Sequence, residues 1–299
     1  MKNPDLRQLR TGDQRGMALV IVLWITALLA VMAGGFAYSM RIETRLAVSA
    51  VERAQAQELA EAGVAYALVW QLDPEARKQW PPNGDEHAWS FGAGQLRIQV
   101  ADASGLINLN TAEVELLKKL LAAAGVADGD QEQVADAILE QRNPDGSQRL
   151  GAKPPVAGLS PRLRPAGFES IEALQQIPGI TPAIYARIAR LATVFSEHRD
   201  VNAGLAPARV LVALGMDEQA VAGYVESRAR AAADGLPPPP VALNQTQFIA
   251  SMGEANVYHV SVAAETATGA TARVEAVIDG RQMNLSGKLP RWLTWRDGR

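Results

Sequence analysis

Three histidines, His87, His198 and His259, stand far apart in this 299-residue sequence, with no H-E-x-x-H, G-x-S-x-G or P-loop phrase beside them. Each reads as a surface or strand residue rather than a general base or a ligand. Cysteine is absent, which removes disulfides, thiolate metal sites and a thiol nucleophile. Oxygen donors gather at Asn143-Pro144-Asp145-Gly146, just after a predicted helix that carries Glu140. A hard cation takes several oxygens, carboxylates among them, so a metal site of Asp145, Asn143 and Glu140 competes there with a plain turn in which Asp145 is the one acid. Trp80, Trp89, Trp292 and Trp295 read as packing or interfacial residues. No catalytic constellation stands out, and the chain is not read as an enzyme.

The N-terminus carries more information. Residues 1–16 hold Lys2, Arg7, Arg10 and Arg15 against Asp5 and Asp13, and from Met17 to Met40 no residue is charged. A helix over that run extends roughly 36 Å at about 1.5 Å per residue, against a hydrocarbon core of about 30 Å. Met17, Ile21, Trp24 and Met40 therefore belong to a candidate membrane anchor, closed by Arg41, Glu43 and Arg45. The basic leader belongs in the cytoplasm, which puts residues beyond about 40 outside the inner membrane. A secretory signal has a shorter apolar region and a small-residue cleavage site after it, and neither is present here. A plain uncleaved anchor stays open.

From Arg41 to about Leu72 there is no Pro and one glycine, Gly63, so the helix is expected to continue, with Leu59, Ala62, Tyr66 and Val69 as its apolar stripe. Gly34-Gly35 is a place where it could loosen. Asp73-Pro74 and Pro81-Pro82 are expected to end the helical stretch. Strands are predicted at Trp89–Phe91, Gln95–Val100, Val257–Val262 and Arg273–Ile278, from period-two alternation and from turn residues at Gly92-Ala93-Gly94 and Thr268-Gly269-Ala270. Between the two strand blocks the pattern is helical. A helix over Glu113–Ala124 follows Asn108, and another over Pro207–Leu214 follows Asn202. Second helices follow at Gln131–Arg142 and Glu218–Ala233, so the unit looks duplicated. Asn110 and Thr111 are candidate N-caps, and Pro207 suits a first helical position. Leu174 through Pro178-Gly179-Ile180 and a helix at Pro182–Leu191 resemble a helix-hairpin-helix element, with Arg187 and Arg190 as its nearest cations. Pro237–Pro240 reads as a stiff linker, and the tail after Gly280, with Arg281, Lys288, Arg291, Arg296 and Arg299, as loosely ordered. A net charge of −3 argues against a general nucleic-acid binder. The fold class is α+β: a long N-terminal helix packed on a small antiparallel sheet, with a large, mainly α-helical domain inserted.

Arg15-Gly16-Met17 resembles the site where prepilin peptidase cuts after a Gly and N-methylates the new first residue, here Met17. Most pilins and pseudopilins carry Glu at the fifth mature position, and this chain has Ile21 there. Together with Gly105-Leu106-Ile107-Asn108-Leu109-Asn110 and the stretch Phe168 to Pro178-Gly179-Ile180, that departure resembles the type II secretion system protein K family over nearly the whole chain. The resemblance implies a prepilin leader at 1–16, a transmembrane helix at 17–40, a pilin-like part at 41–104, an inserted helical domain at 105–240, and last strands and tail at 241–299. It implies a structural subunit, a minor pseudopilin at the tip of the periplasmic pseudopilus. Its partners would be the I- and J-type minor pseudopilins, prepilin peptidase and the inner membrane, with no nucleic acid. It also implies calcium near Glu140, Asn143 and Asp145. A minor type IV pilin and a membrane-anchored DNA-binding receptor remain as alternatives.

Overall fold

The structure, a computed structural model, describes residues 14–143, 167–241, 247–250, 253–281 and 290–298. Two compact units divide between Gln55 and Ala56. Helix α1, Gln14–Leu72, is continuous, and no break occurs at Gly34-Gly35. Past Gln55 its buried residues are Ala56, Ala60, Gly63, Val64, Ala67 and Gln71. This corrects the expected stripe: Leu59 and Tyr66 lie at its margin and Val69 is exposed. Small side chains win the central positions because they let the helix backbone approach the sheet. A Cβ on Gly63 would come within 2.7 Å of both Leu96 and Val262. The bulk is supplied from the sheet side, by Leu96, Ile98, Val100, Val260, Val262, Val274 and Ile278.

That sheet is antiparallel and five-stranded, built from β1 (Asn83–Phe91), β2 (Gly94–Asp102), β7 (Val257–Glu265), β8 (Thr271–Asp279) and β9 (Arg291–Gly298), in the order β1-β2-β7-β8-β9. The β2–β7 register sets Ile98 opposite Val262 and Val100 opposite Val260, so alternate residues share the buried face, as a period of two requires. An aromatic wall closes one side of this core. Tyr66 stacks on Trp89 at 4.0 Å between ring centroids, and His87 stacks on Trp80 at 4.3 Å. Helix α1 ends at Leu72, just before Asp73-Pro74, as expected, and the same pair starts the short α2 (Pro74–Gln79), with the Asp73 carboxylate accepting from the Glu75 N–H and Pro74 at the first turn, where its missing N–H costs nothing. One expectation fails here. The tail is not loose over 290–298, because β9 pairs along β8 and Leu293 packs on Ala103, Val257 and Val277.

Between β2 and β7 in the chain come β3 (Ile107–Asn108), α3 (Val114–Ala123), α4 (Asp128–Arg142), α5 (Pro182–Ile188), β4 (Ala192–Thr193), β5 (Val201–Asn202), α6 (Ala208–Ala213), α7 (Glu218–Ala233) and β6 (Ile249–Ala250). β3 pairs with β4 and β5 with β6, both in parallel. Their apolar faces meet in one core that includes Leu109, Leu117, Leu120, Ile138, Leu174, Ile188 and Leu211. Three terminus assignments are corrected. The α3 N-cap is Glu113, not Asn110 or Thr111, whose side chains bond to distant carbonyls instead. Pro207 is the N-cap of α6, one position before the expected one. Helix α5 ends at Ile188 rather than Leu191. The buried Asp102 carboxylate ties this layer to the return strand: it accepts from the Ser104 N–H and hydroxyl, and from the Ala255 and Asn256 N–H groups at 2.9 Å each.

Candidate membrane anchor and assembly surface

The residues expected to anchor the chain all lie exposed on α1: Met17, Ile21, Trp24 and Met40. Met17, Ile21 and Trp24 recur at i, i+4 and i+7 and so share one side of the helix. Among the described residues this is the one helix long and apolar enough to cross a membrane. Its most apolar window has mean hydropathy 2.5 and nothing in it is buried. A helix satisfies its own backbone groups, which a lipid environment demands. Side-chain hydroxyls are also satisfied internally: Thr26 donates to the Leu23 carbonyl at 2.9 Å and Thr44 to that of Met40 at 2.8 Å.

The Gly16–Met17 bond lies within the first turn of α1, which begins at Gln14. The first four N–H groups of a helix have no intrahelical acceptor, so this bond lies where the helix is least held by its own hydrogen bonds, as at its other end. Residues 1–13 lie outside the described part of the chain.

The expected metal donors are only partly placed. Glu140 is exposed on the last turns of α4, and Asn143 is the C-cap, its N–H donating to the Leu139 carbonyl at 3.0 Å. Asp145 lies outside the described residues. Calcium takes about six to eight oxygens. Among the described residues no group of three or more acids and histidines is placed to hold a metal, and Glu140 with Asn143 does not form a calcium site by itself.

The helical part contains side chains whose role the sequence reading missed. Arg142, at the end of α4, donates from Nη1 to the carbonyls of Ala112 and Leu109. Arg228, inside α7, does the same to Ala206 and Ala203. Each pair of carbonyls lies one and four residues after an asparagine, Asn108 or Asn202. Comparing the two asparagines would have aligned the copies and pointed to the arginines. Asn108 and Asn110 tie the first copy to the segment that follows α5, donating to the carbonyls of Ser196 and Val194. In the hairpin, Gly179 holds φ 91 at the turn, and the element before it is a six-residue 3₁₀ helix, Ile171–Gln176. Arg187 donates from Nη1 to the carbonyl of Ala124, the residue that ends α3, so one of the two hairpin cations caps a neighbouring helix.

Of the three histidines, His87 is packed among aromatic rings, and the His198 carbonyl accepts from Thr111 at 2.6 Å. His259, half-buried on β7, shares a 2.9 Å hydrogen bond with the Thr193 hydroxyl. Burial, and then the nearby Arg296 charge, push its imidazole down to about 4, so it is neutral at pH 7. Trp292 and Trp295 form an exposed edge-on pair, with ring centroids 5.2 Å apart, on the outermost strand.

Comparison with known proteins agrees with the sequence reading. A curated relative, "Type II secretion system protein K" of Pseudomonas aeruginosa PAO1, is 25% identical over an alignment 246 residues long, which covers 73% of this chain and 73% of the relative. A solved structure, the GspK-GspI-GspJ complex from the type 2 secretion system of enterotoxigenic Escherichia coli, aligns with a TM-score of 0.48 at 15% identity. That alignment covers 87% of this chain and 99% of the matched one. The family model described as "Type II secretion system (T2SS), protein K" matches residues 97–197, from within β2 to just past β4.

Proposed function

We propose that the chain is a minor pseudopilin of a type II secretion system, with one inner-membrane span and its C-terminal part in the periplasm. One observation carries this reading: a segment matched by the protein K family model follows, in a single chain, an N-terminal helix that is exposed and uncharged from Met17 to Met40. Prepilin peptidase cuts after Gly16 and methylates Met17, leaving the apolar helix at the start of the mature subunit. Ile21 then occupies the fifth mature position. A carboxylate there would be costly in lipid unless a neighbouring subunit met it, and a subunit at the tip has none above it. The subunit joins the I- and J-type minor pseudopilins, and the complex caps the pseudopilus or starts its assembly. Helix packing in the membrane and protein–protein contacts do this work, and the chain is the peptidase's substrate rather than an enzyme. A calcium ion at Glu140, Asn143 and Asp145 belongs to the same resemblance and has no part in these steps.

The N-terminal mass of the protein, from cells with and without prepilin peptidase, tests the reading. A mature form that begins at Met17, carries one added methyl group and is lost without the peptidase supports it. A retained leader, or a cut beyond the apolar run, overturns it and moves the membrane-anchored receptor to first place.

A further inference from the structure

A cavity of about 470 Å³ opens between the sheet face that carries His259 and the helices α5 and α6. Four arginines line it: Arg190 in the turn after α5, Arg209 on α6, Arg273 on β8 and Arg296 on β9. Two of them have carboxylate partners. Arg273 lies 3.2 Å from Glu275, and Arg296 lies 3.1 Å from Glu172 and donates to the Tyr185 hydroxyl. Arg190 and Arg209 have no carboxylate within ion-pair distance among the described residues. The Arg209 Nε–H donates to the Arg190 carbonyl at 2.9 Å, which fixes the side chain and leaves its other N–H groups to the cavity. Burial lowers the Arg209 guanidinium below its ordinary range, and the Arg190 and Arg273 charges lower it further. Like charges held together in a partly enclosed space repel one another, and an anion placed among them relieves that repulsion.

We propose that this cleft receives a short acidic segment of another protein, whose carboxylates are gripped by Arg209 and Arg190. A guanidinium presents a planar fork of N–H donors that matches a carboxylate in two-point geometry. The volume falls in the range of about 300–1,000 Å³ typical of sites for small ligands, so a loop or chain end fits where a folded helix does not. Nucleic acid fits less well. Single strands are held by free aromatic faces along a basic track, whereas the rings lining this cleft among the described residues are Tyr185 and His259, each tied to a neighbouring side chain by a hydrogen bond, and Glu275 on the wall opposes a continuous phosphate backbone. A peptide brings both carboxylates and N–H groups, and Glu275 can accept from the latter. The proposal stands apart from the pseudopilin reading, because the N-terminal mass concerns residues that do not touch the cleft.

The test is fluorescence anisotropy of labelled hexaglutamate with the full-length protein in zwitterionic detergent at low salt. Arg209→Gln and Arg190→Gln should each weaken binding about tenfold, the scale of one lost charge-assisted contact, and Arg209→Lys should weaken it less. Arg199→Gln, which removes an exposed cation paired with Glu113 elsewhere, should leave binding unchanged. Melting curves of the same samples establish that the variants are folded. The proposal is overturned if the unaltered protein does not bind the peptide, or if Arg199→Gln weakens binding as much as the cleft variants. Displacement of the peptide more readily by inorganic phosphate or a single-stranded oligonucleotide than by unlabelled hexaglutamate also overturns it.

Discussion

Arg142 and Arg228 hold the same place in two copies of one helical unit. Arg142 Nη1 donates to the Ala112 and Leu109 carbonyls at 2.8 and 3.4 Å, and Arg228 Nη1 to those of Ala206 and Ala203 at 2.5 and 3.1 Å. The asparagines before them match as well. The Asn108 carboxamide accepts from the Asn110 N–H, and that of Asn202 from the Gly204 N–H, each at 3.0 Å. In each copy a cation from the second helix donates to two carbonyls of the connection into the first helix, and of these the Ala203 carbonyl also accepts from the Ala206 N–H at 3.4 Å. The copies differ in burial. Arg228 is 3% exposed, with its Nε and Nη2 unpaired and Asp85 as its nearest acid at 3.8 Å, while Arg142 is half-buried.

The two arginines should therefore differ in what their loss does. Arg228→Ala leaves the buried Ala206 carbonyl without a donor and the Ala203 carbonyl with only the long bond from the Ala206 N–H, and opens a cavity, and should destabilise the protein by about 3 kcal/mol. Arg228→Met keeps most of the volume and removes a poorly satisfied charge, and should destabilise it by about 1–2 kcal/mol. Arg142→Ala can admit water and should fall at or below that value. Thermal melting of the full-length protein in detergent gives the ranking, and a larger loss at Arg142 than at Arg228 would refute the account.

Where the determinants were local, the sequence was informative. Helix α7 and the alternation in β2, β7 and β8 are visible in a short window, and the structure places them within a few residues of expectation. β9 was missed because its alternation is interrupted. The pairing with β8 shifts between Val277 and Ile278, and the strand interleaves Trp, Thr and Arg rather than aliphatic residues. The face of α1 was misjudged because size was taken for burial, whereas a helix lying close on a sheet puts Ala56, Ala60 and Ala67 at the contact. Asn110 and Thr111 resemble caps in sequence, but their partners, Phe168, Val194 and His198, are more than fifty residues away. The membrane helix was the most legible candidate site, since its composition alone defines it. The arginine cleft was the least, because its four arginines come one each from the turn after α5, from α6, from β8 and from β9.

Gly105 should tolerate less than Gly63. A Cβ on Gly105 would lie 2.2 Å from the Leu205 carbonyl oxygen and 2.6 Å from its carbon. Both are backbone atoms, so no rotamer change relieves the clash, and the Asp102 carboxylate holds the adjoining turn in place. Gly105→Ala should destabilise the protein by about 3 kcal/mol, toward the upper end for overpacking. At Gly63 the atoms met, at 2.7 Å, are side-chain methyls of Leu96 and Val262, which must move aside but are not backbone. There Ala also regains up to about 1 kcal/mol of helix propensity. Gly63→Ala should change stability by no more than about 1 kcal/mol, and melting temperatures of the two variants measured side by side decide the comparison.

His259 gives the protein a specific weakness toward acid. Its imidazole titrates near 4 when folded and near 6.5 when unfolded. Above pH 6.5 both states are neutral and the residue adds nothing to the pH dependence. Between pH 6.5 and 4 the unfolded chain takes up a proton that the folded chain refuses, so stability falls as pH falls, by up to about 3 kcal/mol. Two other groups act in acid. Asp279, held below its usual range mainly by its hydrogen bonds to Arg281, adds to the loss at lower pH. Glu254, raised by burial, opposes it. His259→Gln keeps a polar group beside the Thr193 hydroxyl and removes the titration. Melting temperature followed from pH 7 to 4.5 should fall more steeply in the unaltered protein than in His259→Gln, with the two curves separating below pH 6.5. Parallel curves across that range would mean that the folded protein accepts the proton on His259.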